Sequence, residues 1–173
     1  MKEFGGSVCF LDRSDINTDE IIPAKYLTEN TKEALGPHLL EDLKLEGFDP
    51  TADKLRRAGA LVTRSNFGCG SSREHAVWVL EVNGINMVIA PSFARIFRQN
   101  MFNCGMLALE LADDDIDALV GLGDDVTLAV DLDKNVLSAR GRQGSASFSF
   151  TLNSFDRDLV LAGGWLQYAD QKY

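Results

Sequence analysis

The sequence predicts an α/β fold with a parallel sheet at its core. Three short apolar runs, at residues 60–63, 85–90 and 106–111, are separated by segments in which apolar residues recur at helical spacing. Strands that alternate with helices are typical of parallel pairing. The C-terminal part alternates with period two between turn residues, which predicts an antiparallel β-meander or a barrel-like element. No repeat or low-complexity tract divides the chain, so residues 1–173 are predicted to form a single domain.

The N-terminal segment is predicted to hold one strand followed by irregular structure. Residues 6–11 alternate and should form the first strand, and residues 12–20 form a polar loop rich in turn-forming side chains. The apolar segment that follows stops at Pro23. Residues 25–28 have no periodicity and are predicted to be exposed.

The next segment, residues 31–43, has helical spacing that Gly36-Pro37 interrupts, which predicts a broken helix or two short ones. No side chain clusters with His38 in the sequence, so a surface or helix-start position is predicted for it. Residues 46–57 mix glycine, proline and charged residues, which predicts a surface connection.

Two helices are predicted between the central strands. The first begins near Ala76 and ends at Asn83-Gly84, and the second is opened by Pro91-Ser92-Phe93 and ends at Asn103, with Gly105 as a C-cap. The apolar side of the second helix is predicted to comprise Phe93, Ile96, Phe97, Met101 and Phe102.

The tail is predicted to add strands and a closing helix. Residues 125–131 and 145–152 alternate with period two, and the turn residues between them favour a meander. Residues 155–161 predict a helix that stops at Gly163-Gly164, with Trp165 and Tyr168 packed against it.

Charge and cysteine usage exclude several classes of function. Seventeen basic and 26 acidic side chains give a net charge of −9, which argues against nucleic acid or an anionic membrane as the main partner. No apolar stretch approaches the roughly 20 residues of a membrane span, and the N-terminus lacks a signal peptide's apolar core, so a cytoplasmic location is expected. Cys9, Cys69 and Cys104 are odd in number and far apart, which predicts neither disulfides nor a metal motif.

The densest group of reactive side chains is Asn-Phe-Gly-Cys-Gly-Ser-Ser-Arg-Glu-His-Ala, residues 66–76, between a predicted strand and a predicted helix. Two glycines allow a tight turn and a close approach of a ligand, and a helix N-terminus attracts anions. Two hydroxyls and the guanidinium of Arg73 add donors. This pattern predicts a site for a small carboxylate or phosphate.

A structural role competes for the same residues. Ser71 and Glu74 fit the S-x-x-E capping box, in which the hydroxyl and the carboxylate satisfy N–H groups at the helix start. The two interpretations are compatible, because a serine that caps a helix is also held in position. The box does not account for Arg73, for His75 or for the glycines.

Three motifs occur in order along the chain. They are Asp-Ile-Asn-Thr-Asp-Glu-Ile-Ile-Pro-Ala at residues 15–24, the stretch at 66–76, and Ser-Phe-Ala-Arg-Ile-Phe at 92–97. Together they closely resemble the small subunits of 3-isopropylmalate dehydratases, in the aconitase superfamily, and the resemblance extends over the whole chain. It implies a swivelling β/β/α domain like the C-terminal domain of aconitase.

The resemblance also implies a divided enzyme. Family members remove and re-add water through an alkene, here 2-isopropylmaleate, with an iron of a [4Fe–4S] cluster as Lewis acid. The three cysteines do not match the spacing of cluster ligands, so no metal is expected on this chain. The cluster is expected on a larger partner subunit, the substrate should be a small dicarboxylate, and the chain alone should be inactive.

Residue roles follow from positions in the matching motif. The resemblance implies that Ser71, as an alkoxide stabilised by the helix start and Arg73, is the catalytic base. Arg73 would bind a substrate carboxylate, and Ser72 would donate a supporting hydrogen bond. Supporting roles are expected for Asp19, Gly70, Glu74 and His75. For Asp19, capping of its turn is the competing account.

Substrate choice is expected to depend on a loop formed by Lys25, Tyr26, Leu27 and Thr28. Family members that act on tricarboxylates resemble Tyr-Leu-Arg-Thr there, and here Thr28 replaces the arginine. Without that guanidinium the pocket should disfavour a third carboxylate and accept an isopropyl group, although Glu29 is not an obvious neighbour for it.

The expected function is therefore that of the small subunit of a hydro-lyase that interconverts 2- and 3-isopropylmalate in leucine biosynthesis. A related small subunit that hydrates citraconate or dimethylmaleate, and a non-catalytic dicarboxylate-binding module, are the alternatives.

Overall fold

The computed structural model describes residues 1–173 and contains a mixed sheet of seven strands. The strands are β1 (Gly5–Leu11), β2 (Ala60–Thr63), β3 (Met87–Ala90), β4 (Leu107–Glu110), β5 (Thr127–Asp131), β6 (Val136–Gly141) and β7 (Gly144–Ser149). Their order across the sheet is β4-β3-β2-β1-β5-β6-β7. β1 joins a parallel half of the sheet (β1–β4) to an antiparallel half (β5–β7), because it pairs in parallel with β2 and antiparallel with β5. The predicted parallel α/β core and the antiparallel meander are confirmed.

Helices connect and cover the sheet. They are α1 (Thr18–Ile21), α2 (Lys32–Leu35), α3 (Asp53–Arg56), α4 (Glu74–Val82), α5 (Arg95–Asn103), α6 (Asp113–Val120), α7 (Ser154–Ala162) and α8 (Trp165–Lys172). Two 3₁₀ turns, Ala24–Tyr26 and Gly36–His38, lie between α1 and α3. None of the helices combines the length and the apolar character that crossing a membrane requires.

The two halves of the sheet differ in burial. All residues of β2 and β3 are buried, as expected for parallel strands covered on both faces. In β7, Phe148 is buried while Ser147 and Ser149 are exposed, because only one face of the meander packs on the core. Forty-four buried apolar side chains form one connected cluster.

The polar loop predicted at residues 12–20 is wrong at its C-terminal end, where α1 begins at Thr18. Asn17 caps this helix, since its Oδ1 accepts a hydrogen bond from the N–H of Glu20 at 2.9 Å. The carboxylate of Glu20 in turn accepts from the N–H of Asn17 at 3.2 Å. The chain therefore has a capping box, at Asn17 and Glu20, that the sequence analysis missed.

Three further helices were not predicted. α3 lies within the predicted surface connection at 46–57, where only Leu55 of the helix is buried. α6 buries Ile116 and Leu119, and three aspartates in its first turn complement the positive end of the helix dipole. α8 follows α7 directly after Gly163-Gly164. Its Trp165 and Tyr168 rings contact Phe155 of α7, with centroids 6.5 and 5.7 Å away.

Candidate functional site

The three motifs meet at one edge of the sheet. Strands β1, β2 and β3 are parallel neighbours, so the segments that leave their carboxyl ends emerge side by side. Residues 12–24 follow β1, residues 64–76 follow β2, and residues 91–97 follow β3. Ligands of open α/β sheets bind at this edge, where loops from neighbouring strands diverge.

Backbone hydrogen bonds hold the first motif against the second. The N–H of Asp15 donates to the carbonyl of Ser65 at 2.9 Å, and the N–H of Gly68 donates to Ile16 at 2.8 Å. The N–H of Thr18 donates to Cys69, also at 2.8 Å. The glycine turn is therefore fixed along the start of α1.

The second motif is fixed to the third in a similar way. The N–H of Phe67 donates to the carbonyl of Ser92 at 3.2 Å, and the N–H of Ala94 donates to Phe67 at 3.0 Å. Phe67 is fully buried and lies edge-on to Phe93 and Phe97, with ring centroids 6.3 and 5.3 Å away. This aromatic contact packs the glycine turn against the core.

The predicted start of α5 was two residues too early, since the helix begins at Arg95 after the extended Ala94. Ile96 was also predicted on the apolar side and is instead 51% exposed. The N–H of Ala94 pairs with Phe67 and Ala94 is extended, so the helix begins only at Arg95. Phe97, Met101 and Phe102 are buried as predicted.

Both glycines of the turn have a backbone that favours glycine, with φ of +82° at Gly68 and +98° at Gly70. At Gly68 a side chain would also collide with Phe97, because an ideal Cβ would lie 2.2 Å from Phe97 Cγ. The turn therefore depends on glycine for its conformation and for its contact with α5.

Ser71 and Ser72 are exposed and precede the helix instead of capping it. α4 begins at Glu74, its N-cap position is Arg73, and no side chain bonds to the cap. The predicted capping box of Ser71 and Glu74 is therefore wrong, because the turn after Gly70 places Ser71 two residues before the cap. The hydroxyls, and the start of the helix, are left open to a ligand.

Arg73 pairs with Asp19 across the two motifs. The distance from Arg73 Nη1 to Asp19 Oδ1 is 2.8 Å, and the two side chains are 27% and 59% exposed. Asp19 lies in the first turn of α1, which the capping box of Asn17 and Glu20 holds in place. The bond occupies one arm of the guanidinium fork, so Nε and Nη2 can bind a carboxylate.

The hydroxyl of Thr18 lies beneath the glycine turn. It is buried and has no hydrogen-bond partner within the chain. An ideal Cβ on Gly70 would lie 3.4 Å from its Oγ1. A buried hydroxyl without a partner costs about 1–3 kcal/mol, so Thr18 marks a polar position of the site that sequence reasoning missed.

The loop of Lys25, Tyr26, Leu27 and Thr28 lies at the border of this group. Lys25 and Thr28 are exposed, while Tyr26 and Leu27 are half-buried. His75, on the first turn of α4, connects the loop to the site, since its Nε2 lies 3.3 Å from the carbonyl oxygen of Glu29. The eleven predicted site residues thus lie in three segments: Asp19 contacts Arg73, and residues 25–28 are connected to α4 through Glu29 and His75.

His38 does not stand alone, contrary to the sequence prediction. Its ring stacks on Tyr26 with centroids 3.8 Å apart, and its Nδ1 lies 3.1 Å from Glu41 Oε1. Glu41 is three residues further along, a spacing that could have signalled the contact. Tyr26 comes from the preceding segment, and only the fold places it there.

The cysteines do not form a ligand set for an iron–sulfur cluster. Cys9 lies in β1, Cys69 in the glycine turn and Cys104 after α5, and no three His, Cys, Asp or Glu side chains form a metal-binding group. Burial raises the pKa of Cys9 and of Cys104 to about 11. Burial, followed by the charge of Asp15, also raises the pKa of Cys69, which keeps that thiol protonated and weakly nucleophilic.

A cleft of about 620 Å³ lies elsewhere, between β1 and the segment at residues 45–57. None of the predicted site residues lines it. The candidate site instead lies at the edge of the sheet where the segments that follow β1, β2 and β3 emerge.

Comparisons with known proteins agree with this arrangement. Residues 2–114 match the model of the aconitase C-terminal domain family, and this range includes all three motifs. The chain is also similar to the solved structure of 3-isopropylmalate dehydratase from Methanocaldococcus jannaschii. The two are 30% identical, the match covers 98% of this chain and 94% of that one, and the TM-score is 0.79.

Proposed function

The chain belongs to the aconitase C-terminal domain family, and we propose that it is the small subunit of a two-subunit hydro-lyase that interconverts 2-isopropylmalate and 3-isopropylmalate through 2-isopropylmaleate. The family match and the similarity of fold confirm the predicted aconitase-like α/β architecture. The substrate, the assignment to leucine biosynthesis and the cytoplasmic location are parts of the proposal.

One observation carries this proposal. The exposed hydroxyls of Ser71 and Ser72, the Arg73 guanidinium and the open start of α4 lie together beside the loop of residues 25–28. Donors for a carboxylate and a candidate base are thus adjacent to a segment that can contact the remainder of the substrate. A dicarboxylate with a variable substituent fits such a site, because the donors would bind a carboxylate and the loop would contact the substituent.

The residues of this chain would supply proton transfer and binding. Ser71, as an alkoxide, would take a proton from the carbon next to the one that bears the hydroxyl, and would return it during hydration. Its anion requires stabilisation, which the helix start and the charge of Arg73 can provide. Arg73 would bind one substrate carboxylate through its free arms while Asp19 orients it, and Ser72 would donate a further hydrogen bond.

The [4Fe–4S] cluster of family enzymes does not fit the cysteines of this chain. We therefore assign it, and assistance to departure of the hydroxyl, to a larger partner subunit. The open edge of the sheet that bears Ser71 and Arg73 would face that partner. The active site would then be divided between two chains.

The test is reconstitution with a candidate large subunit, with the cluster assembled without oxygen. Conversion of 3-isopropylmalate to 2-isopropylmaleate is expected in the mixture and in neither subunit alone. Activity only with citraconate or dimethylmaleate would show that the proposed substrate is wrong and that the proposed reaction class, hydration and dehydration, is right. A formed complex that binds dicarboxylates without turnover, or no complex at all, would favour the non-catalytic module.

Substitution of Arg73 by lysine is expected to raise KM by about tenfold or more, because a hydrogen bond to a charged group contributes about 1.5–3 kcal/mol and the planar fork is lost. Steady-state kinetics of the reconstituted enzyme measure this. The matched control is Arg142→Lys, since Arg142 also pairs with an exposed aspartate at 2.8 Å but lies in the meander. Equal KM values for the two variants would make Arg73 a structural residue.

A further inference from the structure

Both histidines of the chain contact the same short segment, one at each end. The chain contains two histidines, His38 and His75. His38 contacts Tyr26, and His75 contacts the carbonyl of Glu29, three residues further on. Residues 26–29 are therefore contacted at both ends by imidazole rings that come from different parts of the chain.

At the first end, three side chains form a closed set of contacts. The Tyr26 hydroxyl donates to Glu41 Oε2 at 2.8 Å, and His38 Nδ1 lies 3.1 Å from Glu41 Oε1. The rings of Tyr26 and His38 are nearly parallel, at 13°. The hydrogen bond from His38, followed by that from Tyr26, lowers the pKa of Glu41, while Glu41 raises the pKa of Tyr26. Glu41 thus remains an acceptor for both donors.

At the second end, the contact fixes the protonation of a ring nitrogen. A carbonyl oxygen only accepts, so Nε2 of His75 must carry the proton in order to bond with Glu29. The ring lies 4.8 Å from that of Trp78, one turn further along α4. His75 therefore connects the segment to α4, the helix that begins immediately after Arg73.

The second half of the segment, Thr28 and Glu29, has little support of its own. Thr28 and Glu29 are exposed, and within the segment the N–H of Glu29 bonds to Tyr26 at 3.1 Å. Exposed segments with few buried contacts open locally at low free-energy cost. Tyr26 also packs against the apolar core, and the N–H of Leu27 donates to Ala24 at 3.1 Å. The contacts of His38 and His75 add to these restraints at the two ends of the segment.

We propose that His38 and His75 are positioning residues that clamp residues 26–29 at the edge of the candidate site and so shape the pocket wall for the substrate's variable group. The consequence for substrate rests on the proposed function. The clamp itself concerns this chain alone, and it is measurable without a partner.

Limited trypsin digestion after Lys25, at the edge of the segment, measures its opening. His38→Ala and His75→Ala are each expected to speed this cleavage by about fivefold, because a typical hydrogen bond contributes about 1 kcal/mol. The amide of His75→Gln can replace the donor at Nε2, and that of His38→Asn the donor at Nδ1, so these variants should restore slow cleavage.

The matched control is Thr51→Val, which removes a hydroxyl that donates to the exposed Asp49 at 2.7 Å in a distant turn. It should leave cleavage after Lys25 unchanged. Cleavage after Arg140, within β6 and paired with strands on both sides, requires the sheet to open and serves as the reference in every variant. Wild-type rates after Lys25 in both alanine variants would overturn the clamp.

The NMR signals of two imidazoles give an independent readout. Under alkaline conditions, in which imidazole in water is neutral, ¹⁵N shifts should show the Nδ1–H tautomer for His38 and the Nε2–H tautomer for His75. The imidazole signal that disappears in each alanine variant belongs to the histidine that was replaced. The Nδ1–H tautomer at His75 would contradict the bond to Glu29 and overturn the clamp at that end.

In the reconstituted enzyme, His75→Ala is expected to raise KM by about fivefold and to leave kcat within about twofold, because the segment contacts substrate and not the reacting atoms. His75→Gln should restore KM. An inactive wild-type mixture would refute the proposed function, while proteolysis still decides the clamp. An unchanged KM in a variant whose segment opens faster would refute the effect on the pocket.

Discussion

Replacement of Ser71 by alanine is expected to remove nearly all turnover of the assembled enzyme while substrate affinity stays within about tenfold, which is about 1.4 kcal/mol. General base catalysis contributes about 10²- to 10⁴-fold to a rate, and the substitution removes only the hydroxyl. Arg73, Ser72 and the start of α4 remain to hold the substrate. Single-turnover rates and equilibrium binding to the reconstituted enzyme separate the two effects.

Two serine variants complete this experiment. Ser149→Ala, on an exposed position of β7, should leave both quantities unchanged. Ser72→Ala should weaken binding more than it slows the chemical step, because a supporting donor acts on the bound substrate. If Ser71→Ala lost binding and rate in equal measure, Ser71 would be a binding residue and the base would have to be sought elsewhere.

The central part of the fold was predictable because its signals are local. The strands β2, β3 and β4 are short and wholly or mostly apolar, and α4 and α5 carry helical periodicity between glycine stops. Three of the four helices that were missed have weak local signals, whereas α6 has apolar residues at helical spacing and aspartates in its first turn that could have been recognised. α1 and α3 have four residues each, and α8 has no fully buried residue. Their existence depends on caps and tertiary contacts.

The two possible capping boxes show the limit of spacing arguments. Ser71 and Glu74 have the expected residues, and so do Asn17 and Glu20, yet only the second pair forms a box. Asn17 is extended, with φ −92° and ψ 167°, immediately before a helical turn. Ser71 follows Gly70 at φ +98°, and the extended Arg73 delays the start of the helix. The two pairs have the same spacing in the sequence, and the backbone conformation determines which of them forms a capping box.

The site residues were predictable as motifs, but their contacts were not. Asp19 and Arg73 are 54 residues apart, and His75 and Glu29 are 46 apart. These pairs meet because β1 and β2 are parallel neighbours and both motifs leave the same edge. The contact of His38 with Tyr26 arises from the path of the chain between α1 and α3, which has no periodic signal.

Replacement of Gly68 by alanine is expected to reduce the free energy of unfolding by about 2–5 kcal/mol. A left-handed backbone costs a non-glycine residue about 1–2 kcal/mol, and overpacking of a core costs about 1–3 kcal/mol. The new Cβ would lie 2.2 Å from Phe97 Cγ and 2.7 Å from Phe97 Cβ, so a change of rotamer cannot relieve the overlap. Urea unfolding of the isolated chain measures the loss.

Gly84→Ala separates the two contributions. Gly84 has a similar backbone, with φ of +76°, and no atom lies within 4 Å of its ideal Cβ. This variant should therefore lose only the backbone contribution, about 1–2 kcal/mol. The difference between the two variants measures the contact of the glycine turn with α5. Equal losses would show that the turn can move away from Phe97, and Ser71 and Arg73 would then be carried on a segment less rigid than its hydrogen bonds indicate.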